Sequence, residues 1–184
     1  MRTRTILAAT AAATTAALVA SPALAAPTDD TTATFDVLAG TLDIDAPATA
    51  DLGSGAPGTT ITGQLGVVTV SDTRATGDDA SWTASVTSTD FTTGTATATE
   101  TVPATAVDYW SGPATATSGT GTFTPGQINS AAAVPLDNVT PVTAFTHTGG
   151  TGLNSASWNP TLEVSVPSVN QSGTYTGTVT HSVA

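Results

Sequence analysis

The amino-acid sequence predicts an all-β protein, an Ig-like antiparallel β-sandwich preceded by a cleaved signal peptide. Bulky and polar residues alternate in several short stretches, which is the period of a strand with one buried face. Frequent turn residues, 17 Gly and 11 Pro, separate these stretches. Beyond the first residues no window has the 3.6-residue period of an amphipathic helix. Two antiparallel sheets packed face to face are therefore expected.

Residues 1–25 are typical of a secretory signal peptide. Arg2 and Arg4 form a basic start, residues 6–20 are uncharged and largely apolar, and Ala23-Leu24-Ala25 is a small-x-small cleavage site. An uncleaved membrane anchor is the alternative, but the apolar stretch is diluted by Thr and is short for a span. We therefore expect cleavage after Ala25 and an extracellular location.

The predicted mature chain has a simple organisation. Residues 26–33 read as a flexible leader, and residues 34–184 have the length and patterning of one β-sandwich domain. Cys is absent, so an exported domain of this kind is held together by its core rather than by disulfides.

The charge of the chain limits its partners. The sequence has 14 acidic residues against three basic ones. Two of the basic residues lie in the signal peptide, which leaves Arg74 as the only strong cation of the mature chain. Phosphate backbones and anionic lipid headgroups repel such a chain, so nucleic acid and membrane surfaces are poor partners, and no membrane span is expected after signal cleavage.

The first half of the domain is predicted strand by strand. Residues 34–45 alternate around an Ala-Gly turn, which favours a hairpin or one bent strand. Residues 46–63 are rich in Gly and Pro and are predicted to be a loop. The mostly apolar residues 65–72 are predicted to be a strand buried on both faces.

The clearest alternation begins at residue 81. Over residues 81–88, Trp82, Ala84 and Val86 share one face of the predicted strand. Residues 92–135 alternate only weakly. Further strands are predicted over residues 139–146, 161–166 and 174–183.

Nucleophilic catalysis is the first enzymatic class to consider. His147 and His181 are the only histidines, and the sequence has neither Cys nor a Gly-x-Ser-x-Gly turn. His181 falls on the apolar side of a predicted strand, and His147 precedes a Gly-Gly pair in a predicted loop. One histidine at the edge of the core and one at the surface are expected, and no catalytic residue is assigned.

Acidic pairs and metal ligands give no stronger signal. Asp43 with Asp45, and Asp78 with Asp79, would serve a glycosidase only if two carboxylates faced each other across a cleft, which spacing does not indicate. The histidines have no zinc spacing, and no stretch resembles an EF-hand loop. We expect no enzyme, no metal site and no cofactor, with a secreted glycan-active enzyme as a minor alternative.

Two stretches carry a combination of residues found together in one family. Residues 68–74 read Val-Thr-Val-Ser-Asp-Thr-Arg and are followed by a short acidic turn and Trp82. Residues 157–180 contain Trp158-Asn-Pro, an alternating strand and a Thr-rich ending. In this order they resemble the first half and the closing strands of the WxL domain of Gram-positive surface proteins. Ala84 replaces the Leu of the first Trp-x-Leu motif, and His181 replaces the Trp of the second.

The resemblance implies a protein that attaches non-covalently to peptidoglycan. On that basis Asp72, Arg74, Trp82 and His181 are the candidate binding residues. The residues themselves leave other roles open, since Trp82 fits a core position and the Asp-Arg pair fits a salt bridge at a strand end. The rival function is a homopolymeric pilus or coat subunit, in which edge strands pair between chains or with other surface proteins.

Overall fold

The computed structural model describes residues 27–184, and the described chain is all-β. The predicted signal peptide and its cleavage site lie outside the described residues. Residues 27–41 contain no helix or strand, and Val37–Ala184 form one compact unit. Within residues 27–184, no helix is long and apolar enough to cross a membrane.

The strands are short and are joined by turns and brief 3-10 helices. In chain order they are β1 (Leu42–Asp45), β2 (Thr60–Gln64), β3 (Val68–Asp72), β4 (Trp82–Ser88), β5 (Phe91–Thr92), β6 (Thr101–Val102), β7 (Val107–Trp110), β8 (Ala114–Ser118), β9 (Thr122–Pro125), β10 (Val134–Pro135), β11 (Val142–Thr148), β12 (Asn154–Trp158), β13 (Thr161–Ser165) and β14 (Val179–Val183).

Three four-stranded sheets hold most of these strands. Their orders are β1-β3-β12-β8, β10-β7-β13-β2 and β14-β4-β11-β9, and β5 pairs with β6. Every pairing between strands is antiparallel. The prediction of an all-β antiparallel fold is therefore confirmed, although the strands divide among more sheets than the two expected.

Trp158 joins the three sheets in one core. Its ring stacks on Phe145 of β11, with ring centroids 4.9 Å apart and an interplanar angle of 20°. Its indole Nε1 donates a hydrogen bond to the hydroxyl of Tyr109 on β7, at 3.4 Å. All three side chains are fully buried. Aromatic residues bury more apolar area than any others, so this cluster contributes strongly to the stability of a chain with few large side chains.

A bulge in β11 adds to this core. The register between β11 and β4 shifts between Thr143 and Phe145. Because of the extra residue, Ala144 and Phe145 are both buried although they are neighbours in sequence. A regular strand would send one of them outward.

Several predictions for the first half need correction. Residues 34–38 do not belong to a strand, and only residues 42–45 of the predicted hairpin form one. The predicted loop over residues 46–63 contains most of β2. The strand predicted to be buried on both faces, β3, has Ser71 exposed and is buried on one face only.

The clearest patterns, one in each half of the domain, are confirmed. Trp82, Ala84 and Val86 are buried on one face of β4, and β13 lies where alternation predicted it. The strand predicted for residues 174–183 is shorter, since β14 begins at Val179. β12 was not predicted, because its side chains are small except for Trp158.

Candidate functional site

Asp72 and Arg74 form a bidentate, partly buried ion pair at the end of β3. Arg74 Nε donates to Asp72 Oδ1 at 3.0 Å, and Arg74 Nη2 donates to Asp72 Oδ2 at 2.9 Å. The backbone N–H of Arg74 also donates to Oδ1, and Nη2 reaches the carbonyl oxygen of Ser81 at 3.0 Å. Asp72 is only 1% exposed. The pair is therefore more than the exposed salt bridge that the sequence left open.

The network continues through a residue that sequence reasoning missed. Asn154 is the register partner of Asp72 on β12, and its Nδ2 donates to Asp72 Oδ2 at 3.2 Å. Its Oδ1 accepts a hydrogen bond from the indole Nε1 of Trp82 at 2.7 Å. Asn154 thus connects the Asp72 carboxylate to the Trp82 indole, and both its amide oxygen and its amide nitrogen have a hydrogen-bond partner. The only feature of the sequence that could have pointed to Asn154 is its position directly after a Gly-rich turn, at the start of β12.

The electrostatics of this pair follow from its geometry. Hydrogen bonds donated by Arg74 hold the pKa of the Asp72 carboxyl below its usual range, although burial acts in the opposite direction. The hydrogen bond to Asp72 likewise raises the pKa of Arg74. The one strong cation of the described chain is therefore engaged within the protein, where it is poorly placed to attract an anionic ligand.

Trp82 is a core residue rather than an exposed platform. Its side chain is 3% exposed, and its ring lies 6.4 Å from that of Phe145 and 5.8 Å from that of His147, measured between centroids. A sugar or peptide could not stack on it without displacing these neighbours. Trp82 therefore contributes to the scaffold and not to a contact surface.

The expectation that His147 lies at the surface is wrong. His147 belongs to β11 and is fully buried, stacked on Phe123 with ring centroids 4.4 Å apart. Its Nδ1 and Nε2 each lie 2.8 Å from a backbone carbonyl oxygen, those of Ala80 and Thr120 respectively. Both ring nitrogens are thus occupied by the backbone, and neither can act as a base toward a substrate.

His181 lies apart from the Asp72 network. It pairs with Val86 on β4, and its Nε2 lies 3.3 Å from the hydroxyl of Tyr109. Since the Tyr109 oxygen accepts from Trp158, the Tyr109 O–H is free to donate to a neutral imidazole. Burial lowers the pKa of His181 to about 4, the direction expected for a histidine on an apolar face, so the ring is neutral near pH 7.

His181 lines an apolar cleft of about 850 Å³. One wall is the loop 46–57, the other is the loop 171–178, and Leu162 and Val164 of β13 lie at its base. Phe91 and Tyr175 also contribute to the lining. The volume falls within the range of about 300–1,000 Å³ that is usual for binding sites, and its lining combines apolar side chains with Ser, Thr and Gln. Sequence reasoning did not find this cleft, because its two walls are distant in sequence and meet only in the folded chain.

The structure thus separates the candidate residues into two groups. Asp72, Arg74 and Trp82 come together in one buried network, completed by Asn154. His181 is at a different place, in the lining of the cleft. Within residues 27–184, no group of three or more His, Asp or Glu side chains is arranged to hold a metal ion.

Comparison with known proteins gave no match to a family model, to a curated protein or to a solved structure.

Proposed function

We propose that this protein is an exported, non-enzymatic surface protein that associates non-covalently with the cell wall. One observation carries the proposal. The two stretches that resemble the WxL domain are far apart in sequence, yet they lie on adjacent strands. Val68–Asp72 of the first pairs with β12, which leads into the second, and β4 of the first pairs with β14 at its end. Two halves of one domain signature would be expected to meet in this way.

The absence of a reactive constellation supports a non-enzymatic role. In the described part of the chain, no serine or threonine hydroxyl is hydrogen-bonded to either histidine. The acidic pairs Asp43–Asp45 and Asp78–Asp79 are exposed and do not line the cleft. The cleft has one carboxylate, that of Asp51, whereas glycoside hydrolysis ordinarily requires two.

The burial of Trp82 changes how wall binding would work. Since the motif residues form the scaffold, the contact with wall polymer would be made by the cleft or by exposed Thr-rich strands such as β8. An acidic chain with its cation paired has no charge attraction to an anionic wall. Attachment would therefore depend on hydrogen bonds and apolar contacts, and added salt would not weaken it, because salt screens the repulsion between two anionic surfaces.

Purified wall sacculi test the proposal. Mature protein should sediment with sacculi and stay bound through a wash at about 1 M salt, where the Debye length is about 3 Å. Tubes without sacculi control for sedimentation of the protein alone. If the fraction of protein that sediments with sacculi is no greater than the fraction that sediments without them, wall association is contradicted.

A further inference from the structure

Residues 34–38 combine the pattern of a strand with nearly complete exposure. Phe35, Val37 and Leu38 are 88%, 81% and 87% exposed, and no residue from 27 to 41 is in a strand. In an extended chain Phe35 and Val37 share one face, with Asp36 on the other. Elsewhere in the described chain the exposed large apolar residues occur singly. Three of them within four residues make an apolar segment, and exposed apolar surface of this kind marks an interaction site.

The cleft is a surface suited to such a segment. It opens between Ile61 of β2 and Val179 of β14, and each of these strands is the last in its sheet. No other strand of the described chain hydrogen-bonds to their outer edges, but β1 lies against β14, so the edge of β2 is the open one. An edge of this kind has free N–H and C=O groups that can accept another strand, while the apolar lining receives its side chains.

We propose that residues 34–38 of one copy insert into the cleft of a second copy as an added strand. Five extended residues span about 17 Å, which is the usual length of a strand. The alternating Phe35 and Val37 would enter the apolar cleft, and Asp36 would remain in water. The occupant is a segment of this same protein, so the interaction is a head-to-tail contact that can continue from copy to copy.

The chain order favours a second copy over self-insertion. Val37 and Leu38 precede β1, whereas Ala46, where the cleft wall begins, follows it. To reach its own cleft the segment would have to fold back past the whole of β1, about 13 Å long. A neighbouring molecule can present its segment without that constraint.

Charge sets the conditions for this assembly. The chain has 14 acidic residues, so two copies repel each other at low ionic strength. The contact has few charges, since the cleft is lined by apolar and uncharged polar residues and Asp51 is its one carboxylate. Added salt should therefore strengthen the assembly, the opposite of a contact held by ion pairs. This inference goes beyond wall association and does not depend on it.

Sedimentation analysis of the mature chain over a range of concentration and salt tests the assembly. Wild type should form species larger than one chain, increasingly so with salt. The variant with Phe35→Ser, Val37→Ser and Leu38→Ser should raise the dissociation constant at least about tenfold, because its segment no longer has apolar area to bury. The matched control, Val139→Ser with Val169→Ser, removes two exposed valines elsewhere and should assemble as wild type does. A wild type that stays monomeric, or a segment variant that assembles normally, would overturn the proposal.

Disulfide cross-linking between introduced cysteines tests where the contact lies. The sequence has no Cys of its own, so each introduced thiol is the only one in its chain. One preparation carries Val37→Cys and the other Ser172→Cys, an exposed position of the cleft wall. Each protein has a single thiol, so a disulfide between Val37→Cys and Ser172→Cys chains can form only between copies. We expect this mixed dimer on mild oxidation, and much less of it when Val139→Cys replaces Val37→Cys. Equal yields from the two mixtures would show that residues 34–38 do not enter the cleft.

Discussion

The two ends of β4 are built in opposite ways. At its start, Trp82 is enclosed and its indole N–H is bound to Asn154, within a network that ends at Asp72 and Arg74. Toward its other end, Val86 lies beside His181, which faces an open cleft. The same strand thus contributes to a buried polar network at one end and lies beside an open cleft at the other.

The difference between these ends separates stability from binding. Polar groups at the closed end have fixed partners, so removing one leaves another unsatisfied in the interior. The open end has apolar area that is only half-buried, which a ligand or a partner could cover. Substitutions at the closed end should change the free energy of unfolding, and those at the open end should change binding or pH response.

The largest effect is expected for Trp82→Ala. The change removes a buried aromatic side chain, leaves a cavity beside Phe145 and deprives Asn154 Oδ1 of its donor. We expect a loss of about 3–5 kcal/mol in the free energy of unfolding, measured by denaturant titration. Val139→Ala, at an exposed position, serves as the control and should stay within about 0.5 kcal/mol. A loss below about 1 kcal/mol would mean that Trp82 is not part of the core.

A smaller loss is expected for Asp72→Ala. Arg74 is partly exposed and can return to water, but Asn154 Nδ2 loses its buried acceptor. We expect destabilisation by about 2–3 kcal/mol, against almost none for the exposed Asp78→Ala. In the double variant with Trp82→Ala the two losses should not add, because both residues bind Asn154. Strict additivity would argue against one connected network.

The open end should give the protein a distinct pH response. His181 has its pKa lowered to about 4 in the folded state, so the unfolded chain binds more protons at pH values between about 4 and 6.5. Stability should therefore fall as the pH drops through that window, by about 1–2 kcal/mol between pH 7 and 5. The lowered pKa of Asp72 also makes the stability fall with pH, but mainly at more acidic pH than the window of His181, where the Asp72 carboxyl takes up its proton in the unfolded chain.

Comparison with His181→Phe isolates this contribution. The variant cannot titrate at position 181, so its stability should change less between pH 7 and 5 than that of wild type. All other side chains are the same in both proteins, so the difference between the two profiles belongs to position 181. Parallel pH profiles would show that burial does not lower the pKa of His181.

The smallest effect is expected for His181→Trp, which places at this position the residue that the resemblance to the WxL domain leads us to expect. The larger ring gains apolar contact, the cleft beside it has room, and Tyr109 loses its imidazole partner. We expect a net gain of about 1 kcal/mol, seen as a higher melting temperature, or a larger fraction bound to sacculi. Ser182→Trp, on the opposite and exposed face of β14, is the matched control. If neither quantity rises, the interpretation of His181 as a replaced tryptophan fails.

Prediction succeeded where side chains of contrasting size alternate. In β4 and β13 every apolar residue is buried and the polar residues between them are more exposed, so the sequence alone gives the strand and its buried face. It was less successful over β12 and in the middle of the domain, where Ala, Ser and Thr differ too little in hydrophobicity for a period to appear. Residues 34–38 show the converse, a strand-like pattern that finds no partner within the described chain.

The sequence by itself determined the all-β class, the faces of the best-patterned strands and the candidate positions Asp72, Arg74 and Trp82. Only the tertiary structure decided that these three meet through Asn154, that His147 is buried between two carbonyl oxygens, and that His181 faces a cleft. The physical reason is the range of the interactions. Alternation is a property of neighbouring residues, whereas a hydrogen bond between β3 and β12 depends on how distant segments pair.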